Sequence, residues 1–325
     1  MSENLRWAIL GTGNIAKKFA EGLRAVKGND LVAVGSRSQE VAEAFSGEFG
    51  GRPWGSYDEA IAADGVDAVY IALPHHLHLP YVIKAAEAKK AILCEKPFTL
   101  NFEEAKQAME AVKAHKVFFM EAFMYRCHPQ LLAVREVLKN GVIGKVCTVH
   151  AEFGYASKRP GQHFRIDGSL GGGGLMDVGC YPVSFIRWVA GAEPSRVSYS
   201  ADIGETGYDR FGIGTMEFES GLKATFQCGV HCQMSNHATI YGENGSITLT
   251  DPWFGNGPVL VTPSGGKSEQ LRVKSIPHLW GQQAVLVKEF LEKGASPTMT
   301  PADTMGNMRA LDGMQKSAGL AFRSE

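Results

Sequence analysis

The sequence predicts an α/β chain in two parts: a doubly wound parallel sheet over residues 1–124, then an α+β domain over 125–325 built on a large, open, mostly antiparallel sheet. Three observations lead there. The first 120 or so residues alternate short apolar runs with amphipathic stretches. A glycine turn closes the first apolar run. After about residue 125 the pattern changes to long alternating runs joined by short turns. A chain of 325 residues also exceeds what one compact core usually holds.

Taken in order, LRWAIL (5–10) reads as a buried strand and NIAKKFAEGLRAV (14–26) as a helix. LVAVGS (31–36) is a second strand, followed by the helix QEVAEAFSGEF (39–49). Ser56 caps a short helix, SYDEAIA (56–62). VDAVYIAL (66–73) is a strand, and LHLPYVIKAAEA (77–88) a helix whose Pro80 suits a first turn. AILC (91–94) is a strand. NFEEAKQAMEAVKAH (101–115) is a helix with an asparagine cap and acids in its first turn. VFFME (117–121) is again a strand. Strands separated by helices pair in parallel through right-handed crossovers, and ligands of such sheets sit beyond the carboxyl ends of the strands.

In the second part, PQLLAVREVLKN (129–140) reads as a helix. Strands are predicted at 145–155, 196–203, 211–219, 222–230, 237–242 and 245–250. The links ESG and GENG are tight turns that favour antiparallel neighbours. Residues 279–325 return to a helical pattern that the sequence assigns to neither domain.

Composition narrows the function. A formal net charge of -1 argues against a nucleic-acid partner, which would call for a basic excess. The chain holds no run long and apolar enough for a membrane span, and its start enters a strand pattern without an export signal, so a cytoplasmic protein is expected. Its six scattered cysteines are expected as reduced thiols. Two clusters look like metal ligands. His75, His76 and His78 open a helix without acid or thiol partners at ligand spacing. Cys228 and Cys232 on one strand would face away from His231. No metal is expected at either.

Gly11-Thr12-Gly13-Asn14-Ile15-Ala16 follows the first strand and opens the first helix, a G-x-G-x-x-A turn. Gly11 permits the tight turn, Gly13 lets a pyrophosphate approach the backbone, and Ala16 lets helix and strand pack closely. The second strand ends in Gly35-Ser36-Arg37-Ser38, with no acid to hold a ribose 2′-hydroxyl. Arg37 can pair with a 2′-phosphate, with Ser36 and Ser38 as hydroxyl donors, so NADP is expected over NAD. The alternative is that Arg37 only solvates a helix start.

Cys94-Glu95-Lys96-Pro97 lies just past a strand end, on the ligand side of the sheet. A lysine there can donate to a substrate oxygen; a solvated surface lysine is the alternative. Gly171 to Gly174, followed by Leu175-Met176-Asp177-Val178-Gly179-Cys180-Tyr181, lets the chain approach a ligand closely. If a helix follows, Asp177 and Tyr181 share a face. A phenol near an ammonium is a proton donor and acceptor, since the cation favours the phenolate. A core tyrosine is the alternative.

These motifs together resemble the glucose-fructose oxidoreductase, inositol dehydrogenase and rhizopine catabolism family, Gfo/Idh/MocA, over essentially the whole chain. The glycine turn, the Ser36-Arg37 strand end, Glu95-Lys96-Pro97 and the segment Asp177 to Tyr181 carry the resemblance. Tyrosine at 181, where many members have histidine, and the stretch Glu121 to Arg126 are similar to the branch of dimeric dihydrodiol dehydrogenase, glucose-fructose oxidoreductase and NADP-dependent xylose dehydrogenases. The resemblance implies a Rossmann domain and subunits joined, as homodimer or homotetramer, through the second domain's sheet. It implies hydride exchange with a sugar-like alcohol or carbonyl carbon. Tyr181 would be the acid/base, Lys96 its support, and Asp177 would orient substrate hydroxyls or Lys96. Leu73, Pro74, His78 and Glu95 would belong to the cofactor pocket. Arg126 and Arg165 would bind substrate, or else form structural ion pairs. An aldose such as D-xylose or D-glucose is the leading substrate, a trans-dihydrodiol or dicarbonyl the runner-up. A non-catalytic NADP-binding regulator is the third reading.

Overall fold

The computed structural model describes residues 4–157 and 163–320. The chain up to Cys127, together with Ile276–Met305, forms one compact unit; His128–Ser275 and the chain from Gly306 on form another.

The first unit is a parallel sheet of β1 (Leu5–Leu10), β2 (Asn29–Gly35), β3 (Arg52–Trp54), β4 (Ala68–Ile71), β5 (Ala91–Cys94) and β6 (Phe119–Glu121), in the order β3-β2-β1-β4-β5-β6. Its connections carry α1 (Asn14–Ala25), α2 (Gln39–Phe49), α3 (Tyr57–Ala62), α4 (His78–Glu87) and α5 (Phe102–His115). Ser38, Ser56 and Asn101 cap α2, α3 and α5 through their side chains. The strand β3, unforeseen in the sequence, is too short to show alternation. It sits at the sheet edge, where Pro53 costs no ladder bond. Strand order reverses between β1 and β4, and that reversal opens a crevice at their carboxyl ends.

Trp7, Ile9, Phe19 and Tyr70 are fully buried in this core. The buried Trp7 indole donates to Asn29 Oδ1 at 2.9 Å, so its polar atom stays satisfied. The first of the C-terminal helices, α8 (Leu279–Phe290), packs on α1. They approach at Gly22 and Gly281, where a Cβ on Gly22 would stand 2.5 Å from the Gly281 nitrogen. The chain therefore leaves the first unit after Cys127 and returns to it at Ile276.

The second unit holds α6 (Pro129–Lys139), β7 (Val146–Gly154), α7 (Cys180–Ala190), β8 (Arg196–Ile203), β9 (Asp209–Glu217), β10 (Lys223–Gly229), β11 (His237–Gly242), β12 (Gly245–Thr250), β13 (Val259–Pro263) and β14 (Glu269–Gln270). Sheet order is β14-β13-β12-β11-β7-β10-β9-β8. Only β7 and β10 pair in parallel. One face, with Val149, Ala151 and Phe153 of β7 and Ala224, Phe226 and Cys228 of β10, is buried under α7. On the other face Phe211, Ile213 and Tyr241 stand exposed. No helix among the described residues is long and apolar enough to cross a membrane.

Candidate functional site

At the carboxyl end of β1, Gly11 takes φ +97°, and a Cβ there would lie 2.5 Å from the Ala72 carbonyl. Glycine is thus required where the ends of β1 and β4 meet. Gly13 is a different case. It is exposed, its φ of -73° suits any residue, and a Cβ on it would meet nothing within 4 Å. No neighbour among the described residues requires this glycine; a Cβ here would enter the space before α1. That helix has no side-chain cap and no acid in its first turn. Its leading amides and dipole therefore set a positive potential at this turn, which suits a pyrophosphate. Asn14 is exposed, Thr12 and Ile15 are half-buried, and Ala16 is buried against the sheet.

Ser36 is buried, and its amide donates to the Trp54 carbonyl at 3.0 Å. Ser38 caps α2 by accepting from the Val41 amide. Arg37 between them is exposed. Its charge acts on two neighbours: it opposes the rise that burial imposes on the Tyr57 phenol, and it adds to burial in pushing the His76 pKa down. No carboxylate pairs with Arg37 among the described residues. These residues fit a 2′-phosphate.

The loop after β4 carries Leu73, buried, and Pro74, half-buried. His78 follows in the first turn of α4 and is fully buried. Its Nε2 lies 2.8 Å from the Leu73 carbonyl, and its Nδ1 lies 3.0 and 3.2 Å from the Pro97 and Phe98 carbonyls. It braces two loops from inside and does not line a pocket surface, which revises its expected place as a cofactor contact. Burial pushes its pKa down to about 4 although the three carbonyls favour the charged ring. A base whose pKa is lower folded than unfolded destabilises the fold as pH falls from the unfolded value toward the folded one. Urea unfolding should therefore show about 3 kcal/mol lost between roughly pH 6.5 and pH 4, and His78→Gln should remove that dependence; an identical slope in the variant would assign it elsewhere.

Glu95 is buried at the end of β5. It accepts from the Tyr70 hydroxyl at 2.5 Å and from the Lys96 amide at 3.3 Å. The half-buried Lys96 thus leaves the sheet from a fixed backbone, and the Lys96–Pro97 peptide is cis. Arg126 donates to Asp303 Oδ2 at 2.6 Å and to the Thr298 carbonyl at 3.1 Å within the same unit. That geometry favours the structural alternative for Arg126.

In the second unit the predicted helical segment begins as a π-helical turn, Leu175–Gly179, before α7. Such turns gather at functional sites. Asp177 and Tyr181 are both buried. Asp177 accepts from Arg165 Nε at 2.9 Å and from the Tyr155 hydroxyl at 2.6 Å. Tyr155, just past the end of β7, was not singled out in the sequence, because one aromatic at a strand end carries no periodic signal. The Tyr181 ring stands edge-on to Phe153, 5.1 Å between centroids, and to Trp253, 5.8 Å. The glycines before this turn serve a purpose other than the one expected. A Cβ on Gly172 would strike the Phe164 carbonyl and one on Gly173 the Asp209 carboxylate, and one on Gly174 would press on the Gly229 backbone at 3.0 Å. They let the chain approach itself.

Cys228 is buried on β10, whereas the strand ends at Gly229 and Cys232 is exposed beyond it. The expected shared strand face does not exist. His231 pairs with the Tyr208 hydroxyl at 2.9 Å.

Residues 5–123 match the family model described as an oxidoreductase family with an NAD-binding Rossmann fold, and residues 131–248 match the GFO/IDH/MocA C-terminal domain. The chain is 31% identical to mouse trans-1,2-dihydrobenzene-1,2-diol dehydrogenase, covering 98% of each chain. It is 28% identical to D-xylose 1-dehydrogenase (NADP(+)) 2 of Haloferax volcanii, covering 97% of each. A 3-ketoreductase from Actinomadura kijaniata, solved with NADP and TDP-benzene, superposes with a TM-score of 0.88 at 25% identity, over 97% of this chain and 98% of that one. With both halves matched and a relative this similar from end to end, the chain belongs to the GFO/IDH/MocA oxidoreductase family.

Proposed function

We propose that this protein is an NADP-dependent dehydrogenase or reductase acting on the CH–OH group of an aldose such as D-xylose or D-glucose. The observation that carries the reading is Arg37, exposed at the end of β2 and paired with no carboxylate among the described residues, beside the turn at Gly13. Gly11 to Ile15 would hold the pyrophosphate, Ser36 to Ser38 the 2′-phosphate, and Leu73 and Pro74 the nicotinamide side. Bound NADP supplies the hydride acceptor, and NADPH the donor. Tyr181 would hold or release the proton on the reacting oxygen, and Lys96 would support it. Asp177, engaged by Arg165 and Tyr155, orders a polar set that meets substrate hydroxyls through those two partners.

A second reading, a trans-dihydrodiol dehydrogenase, is supported by the 31% identity, over 98% of each chain, to mouse trans-1,2-dihydrobenzene-1,2-diol dehydrogenase. Comparing kcat/KM for D-xylose with that for a trans-dihydrodiol separates the two; the larger value names the class. The proposal also places the enzyme in the cytoplasm, where thiols stay reduced.

The exposed Phe211, Ile213 and Tyr241 support association of subunits through the open sheet face, since large apolar groups on a flat sheet mark an interface. Ile213→Asp is expected to lower the mass seen in sedimentation velocity to that of a monomer. An unchanged mass would put the interface on another surface.

A further inference from the structure

We propose that Asp209 is a positioning residue for the reaction: from the first position of β9 its carboxylate holds the turn that carries Asp177 and leads into α7 at Tyr181. This rests on the reading of Tyr181 as the acid/base.

Asp209 is 2% exposed, so its placement is not a matter of solvation. Its Oδ2 accepts from the Leu175 amide at 2.7 Å and from the Tyr199 hydroxyl at 2.6 Å. The backbone at Gly174 and at Asp209 itself adds to the pull toward the charged carboxylate. The turn has no side-chain cap of its own. A helix start leaves its first amides without partners, and a buried one must find acceptors elsewhere. Asp209 supplies them from another element, with the charge that a helix start favours. The fit is steric as well: a side chain on Gly173 would collide with this carboxylate. Burial pushes the Asp209 pKa up to about 6 against the pull of its donors, yet the chain keeps an acid there.

The far end of the same turn is held from the same sheet. Tyr199 lies 3.2 Å from Cys228 Sγ, and a Cβ on Gly179 would stand 2.7 Å from that sulfur. The strut of Asp209, Tyr199 and Cys228 thus grips the turn at Gly173–Leu175 and at Gly179. Asp177 lies between these grips, and Tyr181 follows two residues after the second. A shift of the turn displaces both side chains at once.

The test is a double-mutant cycle of Asp209→Asn with Tyr181→Phe in the full chain, read by steady-state turnover and by NADPH binding through fluorescence. Asparagine keeps the size and an oxygen for Leu175 and Tyr199, which share Oδ2, but it loses the charge and sets an –NH2 in place of Oδ1 beside Gly173. Alone, Asp209→Asn should lower kcat by about 10- to 100-fold, with NADPH affinity unchanged. In the Tyr181→Phe background it should cost clearly less than it does alone, because the share lost through the phenol is already gone and only the share through Asp177 remains. Equal losses in both backgrounds, or a normal kcat in Asp209→Asn, overturn the proposal. If Asp209→Asn does not fold, Tyr199→Phe takes its place in the cycle. It removes one donor to the carboxylate and should lower kcat by about 3- to 10-fold; an unchanged kcat there overturns the proposal too. Near-normal turnover in Tyr181→Phe alone would instead sink the acid/base reading on which this one rests.

Discussion

Tyr181→Phe should lower kcat by about 10²- to 10⁴-fold, the usual worth of a positioned acid/base, while NADPH binds as before. The variant removes one oxygen and leaves the ring. The edge-on contacts with Phe153 and Trp253 are made by that ring, so they persist in the variant. The loss is therefore chemical and appears in kcat. Were Tyr181 only a core residue, its replacement by Phe would leave turnover near normal and show instead as a change in melting temperature. Measuring kcat, NADPH affinity and melting temperature on one preparation separates the two roles.

Arg37→Ala should carry the second large effect, confined to one cofactor. The kcat/KM for NADP is expected to fall by about 10- to 100-fold, as for loss of a charge-assisted bond to phosphate, and that for NAD to change little. Arg37 is exposed and not tied to a carboxylate among the described residues, so its removal leaves no buried charge and should not unfold the domain. Equal losses with both cofactors would remove Arg37 from the 2′-phosphate site. A gain with NAD would fit the same picture, because the cation serves no ribose hydroxyl.

The parts of this molecule legible in the sequence are those whose causes are local. Gly11 and Gly13 announce the turn because the required conformation and the required emptiness belong to single residues beside β1. Ser56 and Asn101 mark helix starts because a cap reaches only a few residues ahead. The alternation along β9 and β10 survives in sequence because one sheet face is buried and the other open. The strands β3, β13 and β14 were not foreseen: β3 and β14 are too short to establish a period, and β13 is bounded by Pro258 and Pro263, which read as breaks.

What the sequence could not disclose depends on residues far apart in the chain. Asp209 meets Leu175 across 34 positions, and Tyr155 meets Asp177 across 22. No spacing rule joins such pairs, which meet only because β7 and β9 lie in one sheet. The run Gly171 to Gly174 was legible as a demand for closeness, but not in its object, since a glycine does not say what approaches it. His78 was legible as a residue near the cofactor loops. Its full burial, with a carbonyl on either side of the ring, follows from the meeting of the loops after β4 and β5.

The central claim, an NADP-dependent oxidoreductase of sugar-like alcohols, is tested most directly by NADPH formation from NADP across a panel of aldoses, polyols and trans-dihydrodiols, with NADPH consumption by ketosugars and dicarbonyls run alongside. The account predicts clear turnover on one class, faster with NADP than with NAD. Silence across the whole panel, from a protein that binds NADPH in solution, would contradict it and favour a regulator that reads the cofactor without reacting it.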